Sequence, residues 1–156
     1  MTESVDRRSV DVVVTEVIHR PIEVVAGYAS DPSNAPEWYA KISEVAWKTS
    51  PPLRVGSEVA FVARFLGREL RYTYAIVEYT AESLVMRTAE GPFPMETSYH
   101  YESTPDGDTR MTLRNRGNPS GFSRLVAPFM RTAMRRAMDK DLKALKQILE
   151  CDQLDR

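Results

Sequence analysis

Between residues 42 and 116 the chain is cut into six short runs by Gly, Pro and Asp-Gly breaks, and one long amphipathic segment follows. That order constrains the fold more than any other feature. Short runs of alternating polarity mark an antiparallel meander, with one face packed and one wet. They predict strands at 42–48, 57–65, 68–79, 83–89, 93–103 and 109–117. Leu66-Gly67 and Pro105-Asp106-Gly107-Asp108 supply tight turns, because glycine and aspartate tolerate the backbone that hairpins need. A further strand is predicted upstream over Val10–Ile18, rich in β-branched residues and closed by His19-Arg20-Pro21. Pro21 then opens a short helix carrying Ile22, Val25, Ala26 and Ala29, which Asp31-Pro32 stops. A second short helix or turn carries Asn34, Pro36, Trp38 and Tyr39. Asn118-Pro119 starts the long C-terminal helix, whose apolar stripe includes Phe122, Leu125, Val126, Phe129, Met130, Met134, Ala137, Met138, Leu142, Leu145 and Leu149. Pro128 inside that stripe should bend the helix.

The predicted elements do not fit together without a gap. Seven antiparallel strands make a curved sheet roughly 30 Å wide, whereas a helix with its side chains is only about 10–12 Å across. One helix cannot cover such a sheet. The two short helices shield part of the remainder, and the rest becomes either a cavity or a very bulky aromatic core.

At 156 residues there is room for one domain, expected over 10–150 between a flexible tail at 1–9 and a C-terminal tail at 151–156. Twenty-one basic residues nearly cancel twenty-two acidic ones, which argues against a general nucleic-acid binder. The lone cysteine, Cys151, cannot close an internal disulfide, and neither a CxxC pair nor a histidine cluster offers a metal cage. No cofactor or metal is therefore expected. A reducing cytoplasm fits best, and no run approaches the ~20 apolar residues that span a bilayer. Sixteen arginines against five lysines point to a GC-rich bacterial source.

Alternation assigns the inward side chains. Phe93, Met95, Thr97, Tyr99 and Tyr101 share one face of their strand and must point in, opposite Glu96, Ser98, His100 and Glu102. Val59, Phe61, Ala63 and Phe65 pair with an inward Leu70, Tyr72, Tyr74 and Ile76, while Asn115 is a polar inward residue between outward Arg114 and Arg116. With Trp38 from the short helix and Phe129, Met130 and Met134 from the long one, they outline an apolar, aromatic interior with scattered hydroxyls, an amide and thioethers. Such a mixture suits an oily or aromatic ligand bearing oxygens. Each tyrosine could equally be a core residue whose hydroxyl finds a partner, Trp38 could plug the short helices onto the sheet, and the methionines could be filler. Asn115 needs a hydrogen-bond partner in either case.

No catalytic group stands out. His19 lies at a strand end, His100 faces outward, and neither has the spacing of a triad. Arg131, Arg135, Arg136, Lys140, Lys143 and Lys146, interleaved with Asp139 and Asp141, read as the wet side of the long helix.

Several segments carry a resemblance to a known family. They are Pro21-Ile22-Glu23-Val24-Val25, Ser30-Asp31-Pro32-Ser33-Asn34 followed by Trp38, Gly91-Pro92-Phe93, Gly107-Asp108-Thr109-Arg110, and Asp141-Leu142-Lys143-Ala144-Leu145-Lys146. With the element order, these resemble the START-like (SRPBCC) superfamily, in its polyketide cyclase/dehydrase and lipid-transport branch. The resemblance covers about residues 10–150 and implies an α+β helix-grip fold, a seven-stranded curved antiparallel sheet wrapped around the long C-terminal helix. It also implies a deep pocket between sheet and helix for lipids, polyketides or other hydrophobic molecules, with Trp38 matching an aromatic near the pocket entrance. In the cyclase branch a pocket arginine with hydroxyl and aromatic partners steers the polyketide; here inward Tyr72 and Tyr74 occupy its strand, and Ile42 and Val45 replace further aromatics.

The first expectation is thus a carrier or sensor of a small hydrophobic molecule, a monomer or weak homodimer, non-catalytic, with Trp38, Phe61, Tyr72, Tyr74, Met95, Thr97, Tyr99, Asn115, Phe129, Met130 and Met134 about the ligand. A cyclase, aromatase or dehydrase-type enzyme is the second, and a regulator acting through protein contacts the third.

Overall fold

The structure is a computed structural model that describes residues 9–118 and 127–151. Seven strands form one antiparallel sheet: β1 (Val10–Ile18), β2 (Ile42–Trp47), β3 (Glu58–Phe65), β4 (Arg68–Tyr79), β5 (Ser83–Glu90), β6 (Met95–Ser103) and β7 (Thr109–Gly117). Helices α1 (Ile22–Ala29) and α2 (Ala35–Trp38) follow β1, with a single 3-10 turn at Pro32–Asn34 between them, and α3 (Ala127–Cys151) is the last described element. A sheet of this kind with one long helix and two short ones is the expected α+β helix-grip arrangement.

Strand order across the sheet is β1-β7-β6-β5-β4-β3-β2, so the two strands nearest in sequence to α1 and α2 lie on opposite edges. The connection must therefore cross the sheet, and α1 and α2 are what it crosses with. Pro21 stands in extended conformation ahead of α1, whose Val25 and Ala29 are buried. Asp31 stops the run by accepting a 3.0 Å bond from the Ser33 amide, so the chain turns before α2 instead of extending α1. The β3–β4 hairpin turns on Leu66 (φ 51°) and Gly67 (φ 77°), a left-handed pair that matches the twist of the flanking strands.

Helix α3 lies closest to β1. Its buried side, Met130, Met138, Leu142, Leu145 and Leu149, meets Val12, Val14 and Ile18 of β1 within one apolar core. Polar contacts clamp its far end: the Arg20 guanidinium donates to the Leu149 carbonyl at 2.6 Å, Lys146 Nζ to the Val17 carbonyl at 2.6 Å, and the His19 amide to Glu150 at 2.9 Å.

Four expectations need correction or limit. Strand β6 begins at Met95 and not at 93, because Pro92 and Pro94 have no amide to donate to a ladder. Pro128 is the second described residue of α3, and the preceding turn on which its bend was expected to act lies outside the described residues. Lys146 is half-buried, and Asp141 is buried at 4% exposure, so neither belongs to the wet side. The helix start at Asn118-Pro119 and the stripe residues Phe122, Leu125 and Val126 lie at or outside the edge of the described residues.

Candidate functional site: a cavity between sheet and helix

The sheet's concave face is only partly filled, and a cavity of about 160 Å³ remains between β3–β7 and α3. Its wall contains Phe61, Tyr72, Tyr74, Met95, Thr97, Tyr99, Asn115, Met130 and Met134, nine of the eleven side chains expected around a ligand. Register explains the grouping. Phe61 pairs with Tyr72, Leu84 with Tyr99 and Met86 with Thr97, and Thr97 with Asn115, so cross-strand neighbours present one continuous inner surface. From α3, Met130, Met134, Ala137, Met138 and Asp141 reach the wall at helical spacing. The wall meets solvent at exposed Lys41 and Arg64 on the β2–β3 side and at Arg116 on β7.

Two expected residues stand elsewhere. Phe129 is 71% exposed. One residue step turns a helix by about 100°, so with Met130 directed inward Phe129 falls on the outer side with Arg136 and Lys140. Trp38 is buried but does not reach the cavity wall; it backs the wall instead, its ring 4.0 Å from that of Tyr39 and 5.7 Å from that of Tyr99. Its indole Nε1 is buried with no hydrogen-bond partner among the described residues.

The four tyrosines of the wall and their partners fall into three groups. Thr97 donates to Asn115 Oδ1 at 2.6 Å, which leaves the Thr97 oxygen to accept from the Tyr74 hydroxyl at 2.8 Å. This relay supplies the partner that Asn115 requires. Tyr39 and Tyr99 hydroxyls bond each other at 2.6 Å. Because one proton serves that bond, the other hydroxyl keeps a proton to offer. Tyr72 stacks on Phe61 at 5.5 Å and meets Tyr74 edge-on at 5.0 Å. Its pairing within the wall is thus aromatic.

Burial pushes the acidity of these phenols down. Desolvation raises Tyr39, Tyr72 and Tyr99 well above the ordinary tyrosine range. Tyr74 is pushed up to about 12, desolvation outweighing the bond to Thr97. All four stay neutral at physiological pH and act as hydrogen-bonding hydroxyls, not as phenolate bases. Asp141 is the exception in kind. Desolvation raises its carboxyl to about 6, against the lowering effect of the Ala40 amide, which donates to Oδ1 at 3.1 Å.

Tyr39 and Asp141 were not among the expected ligand contacts. Tyr39 ends a four-residue helix too short to show a period, and the Asp139-Lys140-Asp141 run has the composition of a solvated face. A signal did exist for Asp141: it lies at i+3, i+4, i+7 and i+11 from Met138, Ala137, Met134 and Met130. His19 Nδ1 lies 3.0 Å from Asp108 at the surface, far in role from the cavity, and His100 is exposed. Among the described residues no cluster of three or more His, Cys, Asp or Glu is placed to hold a metal. No described helix is long and apolar enough to cross a membrane.

Known structures share this architecture. An aromatase/cyclase, Zhui, from Streptomyces sp. R1128 superposes with a TM-score of 0.77 at 15% identity, covering 91% of this chain and 94% of that one. A protein from Thermus thermophilus gives 0.76 at 17% identity over 91% and 98% of the two chains. A START superfamily protein from Mycobacterium smegmatis gives 0.75 at 16% identity over 90% and 97%. At such identities the likeness shows the fold. No curated protein matches the sequence significantly. The sequence profile of the family described as polyketide cyclase / dehydrase and lipid transport matches residues 9–150, nearly the whole described chain. With a START-like fold, this chain therefore belongs to the polyketide cyclase/dehydrase and lipid-transport family.

Proposed function

We propose that the protein binds a small hydrophobic molecule between the sheet and α3, as a carrier or sensor. The observation that supports this reading is the cavity itself, about 160 Å³ walled by aromatic rings, thioethers and a few hydroxyls. A dry space of roughly 150 Å³ takes up a benzene-sized molecule unaided, because apolar walls gain contacts that water cannot replace. A ring or small fused ring system fits this volume, and a longer guest would extend past Lys41 and Arg64 into solvent. Native mass spectrometry of the protein purified from its own cells tests the reading. An adduct of defined mass that organic extraction removes, and that Met134→Trp excludes by filling the space, is the expected result. Absence of any passenger together with no saturable uptake of hydrophobic probes would count against it.

A cyclase or dehydrase-type activity is the second reading, favoured by the Tyr72 hydroxyl, which remains protonated inside the cavity and so can donate to a substrate carbonyl, beside a Tyr74 hydroxyl tied to Thr97. Unchanged turnover of a polyketide substrate by Tyr72→Phe and Tyr74→Phe would remove those residues from such a role.

A further inference from the structure

Among the described residues of the cavity wall, Asp141 is the acidic side chain held deepest, at 4% exposure. Glu96, the other carboxylate there, is paired with Arg87 and Arg116. No described lysine or arginine lies within salt-bridge distance of Asp141. One oxygen, Oδ1, accepts from the Ala40 amide at 3.1 Å. No described donor reaches the second, Oδ2. Capping one amide does not explain the residue, since a serine or asparagine would accept the same bond without bringing a charge out of water, which is costly. Within the same wall the Tyr39–Tyr99 pair, bonded at 2.6 Å, has one proton to spare. Ala40, whose amide holds Asp141, directly follows Tyr39 in the chain, which brings the carboxyl and the hydroxyl pair to the same end of the wall. An acceptor oxygen and a hydroxyl proton that both face the same apolar cavity can be matched by a guest that supplies their complements.

We propose that Asp141 and the Tyr39–Tyr99 hydroxyl pair form a polar recognition point that selects an aromatic guest carrying a hydrogen-bond-donating group, a phenol or an amine, over one carrying a carboxylate. This rests on the reading of the cavity as a binding site. The guest's O–H or N–H donates to Asp141 Oδ2, and for a phenol the oxygen accepts the spare tyrosine proton. An anionic guest meets a like charge in low dielectric. Lys41 and Arg64 do not reverse that preference, because they stand exposed at the rim, where solvent and salt screen them.

Isothermal titration of the full-length protein at pH 8 with 4-ethylphenol, ethylbenzene and 4-ethylbenzoate tests this. The phenol should bind at least as tightly as ethylbenzene, despite the cost of dehydrating its hydroxyl, and the benzoate about tenfold or more weaker than the phenol, as expected for a buried like-charge contact. Asp141→Asn keeps an acceptor for Ala40 and should weaken the phenol about fivefold or more, since a charge-assisted bond becomes a neutral one. Ethylbenzene binding should stay within about twofold, there being no polar contact to lose. Should the variant misfold, the ranking of the three probes on the unaltered protein decides alone. Ethylbenzene bound with the phenol excluded, the benzoate bound as tightly as the phenol, or an unchanged phenol-to-ethylbenzene ratio in Asp141→Asn would each overturn the proposal and leave the binding reading intact. No saturable binding of any of the three would overturn both.

Discussion

Asp141 shows how a single residue can work against the stability of the fold that contains it. Its carboxyl rises from 3.8 to about 6 because burial disfavours the charge. A raised folded value means that the contribution to stability is present with the group protonated, below about pH 4, and is lost as pH rises through about 6. That rise corresponds to roughly 3 kcal/mol at neutral pH. Asp141→Asn should therefore stabilise the protein by about 1–3 kcal/mol at pH 8 and by almost nothing at pH 4. Urea titrations of both proteins at the two pH values read this directly, and an equal effect at both would show that the charge is not responsible. Ser30 is the opposite case. Its hydroxyl bonds Tyr101 at 2.8 Å where both side chains are buried. Ser30→Ala leaves the phenol without a partner and should cost about 1–3 kcal/mol. Adding Tyr101→Phe should recover part of that loss, and a double-mutant cycle with no coupling would refute the bond's contribution.

At the scale of elements, α3 is held unevenly. Toward its C-terminal end Leu142, Leu145 and Leu149 are at most 2% exposed, and Arg20, Lys146 and Glu150 tie it to β1. Toward its N-terminal end Phe129 is exposed and Met134 only half-buried beside the cavity. Leu145→Ala should cost about 2–5 kcal/mol, the usual range for emptying a packed core site. Amide exchange should be slowest from Met138 to Leu149 and faster from Arg131 to Met134, because local opening follows local packing. Uniform protection along α3 would mean that its two halves open together. The strands were legible from sequence because a two-residue period survives any packing partner: β1, β4 and β7 begin and end where alternation places them. Prolines without amides moved the start of β6, a correction available from chemistry and overridden by the apolar character of Phe93, which is indeed buried, but ahead of the strand.

Across the whole molecule, the sheet is wider than its helix, and the mismatch leaves space on the concave side. A ligand that fills this space stabilises the folded state alone. At about one hundred times its dissociation constant it should add about 2.7 kcal/mol and raise the melting temperature by roughly 5–10 °C for a chain of this size. Differential scanning calorimetry with ethylbenzene is the measurement, and an unshifted transition at saturating concentration would speak for a space that does not take up apolar guests.

Period, breaks and β-branching in the sequence were sufficient for the seven strands, the two short helices that join opposite edges, and nine of the wall residues. These depend on which side of an element a residue occupies, and local spacing encodes that. The outward turn of Phe129, the retreat of Trp38 behind the wall, the pairing of Tyr39 with Tyr99 and the burial of Asp141 were decided by the tertiary structure. Each depends on the angle at which α3 and α2 meet the sheet. That angle is set by the sum of many side-chain volumes packed at once, a quantity no local pattern carries.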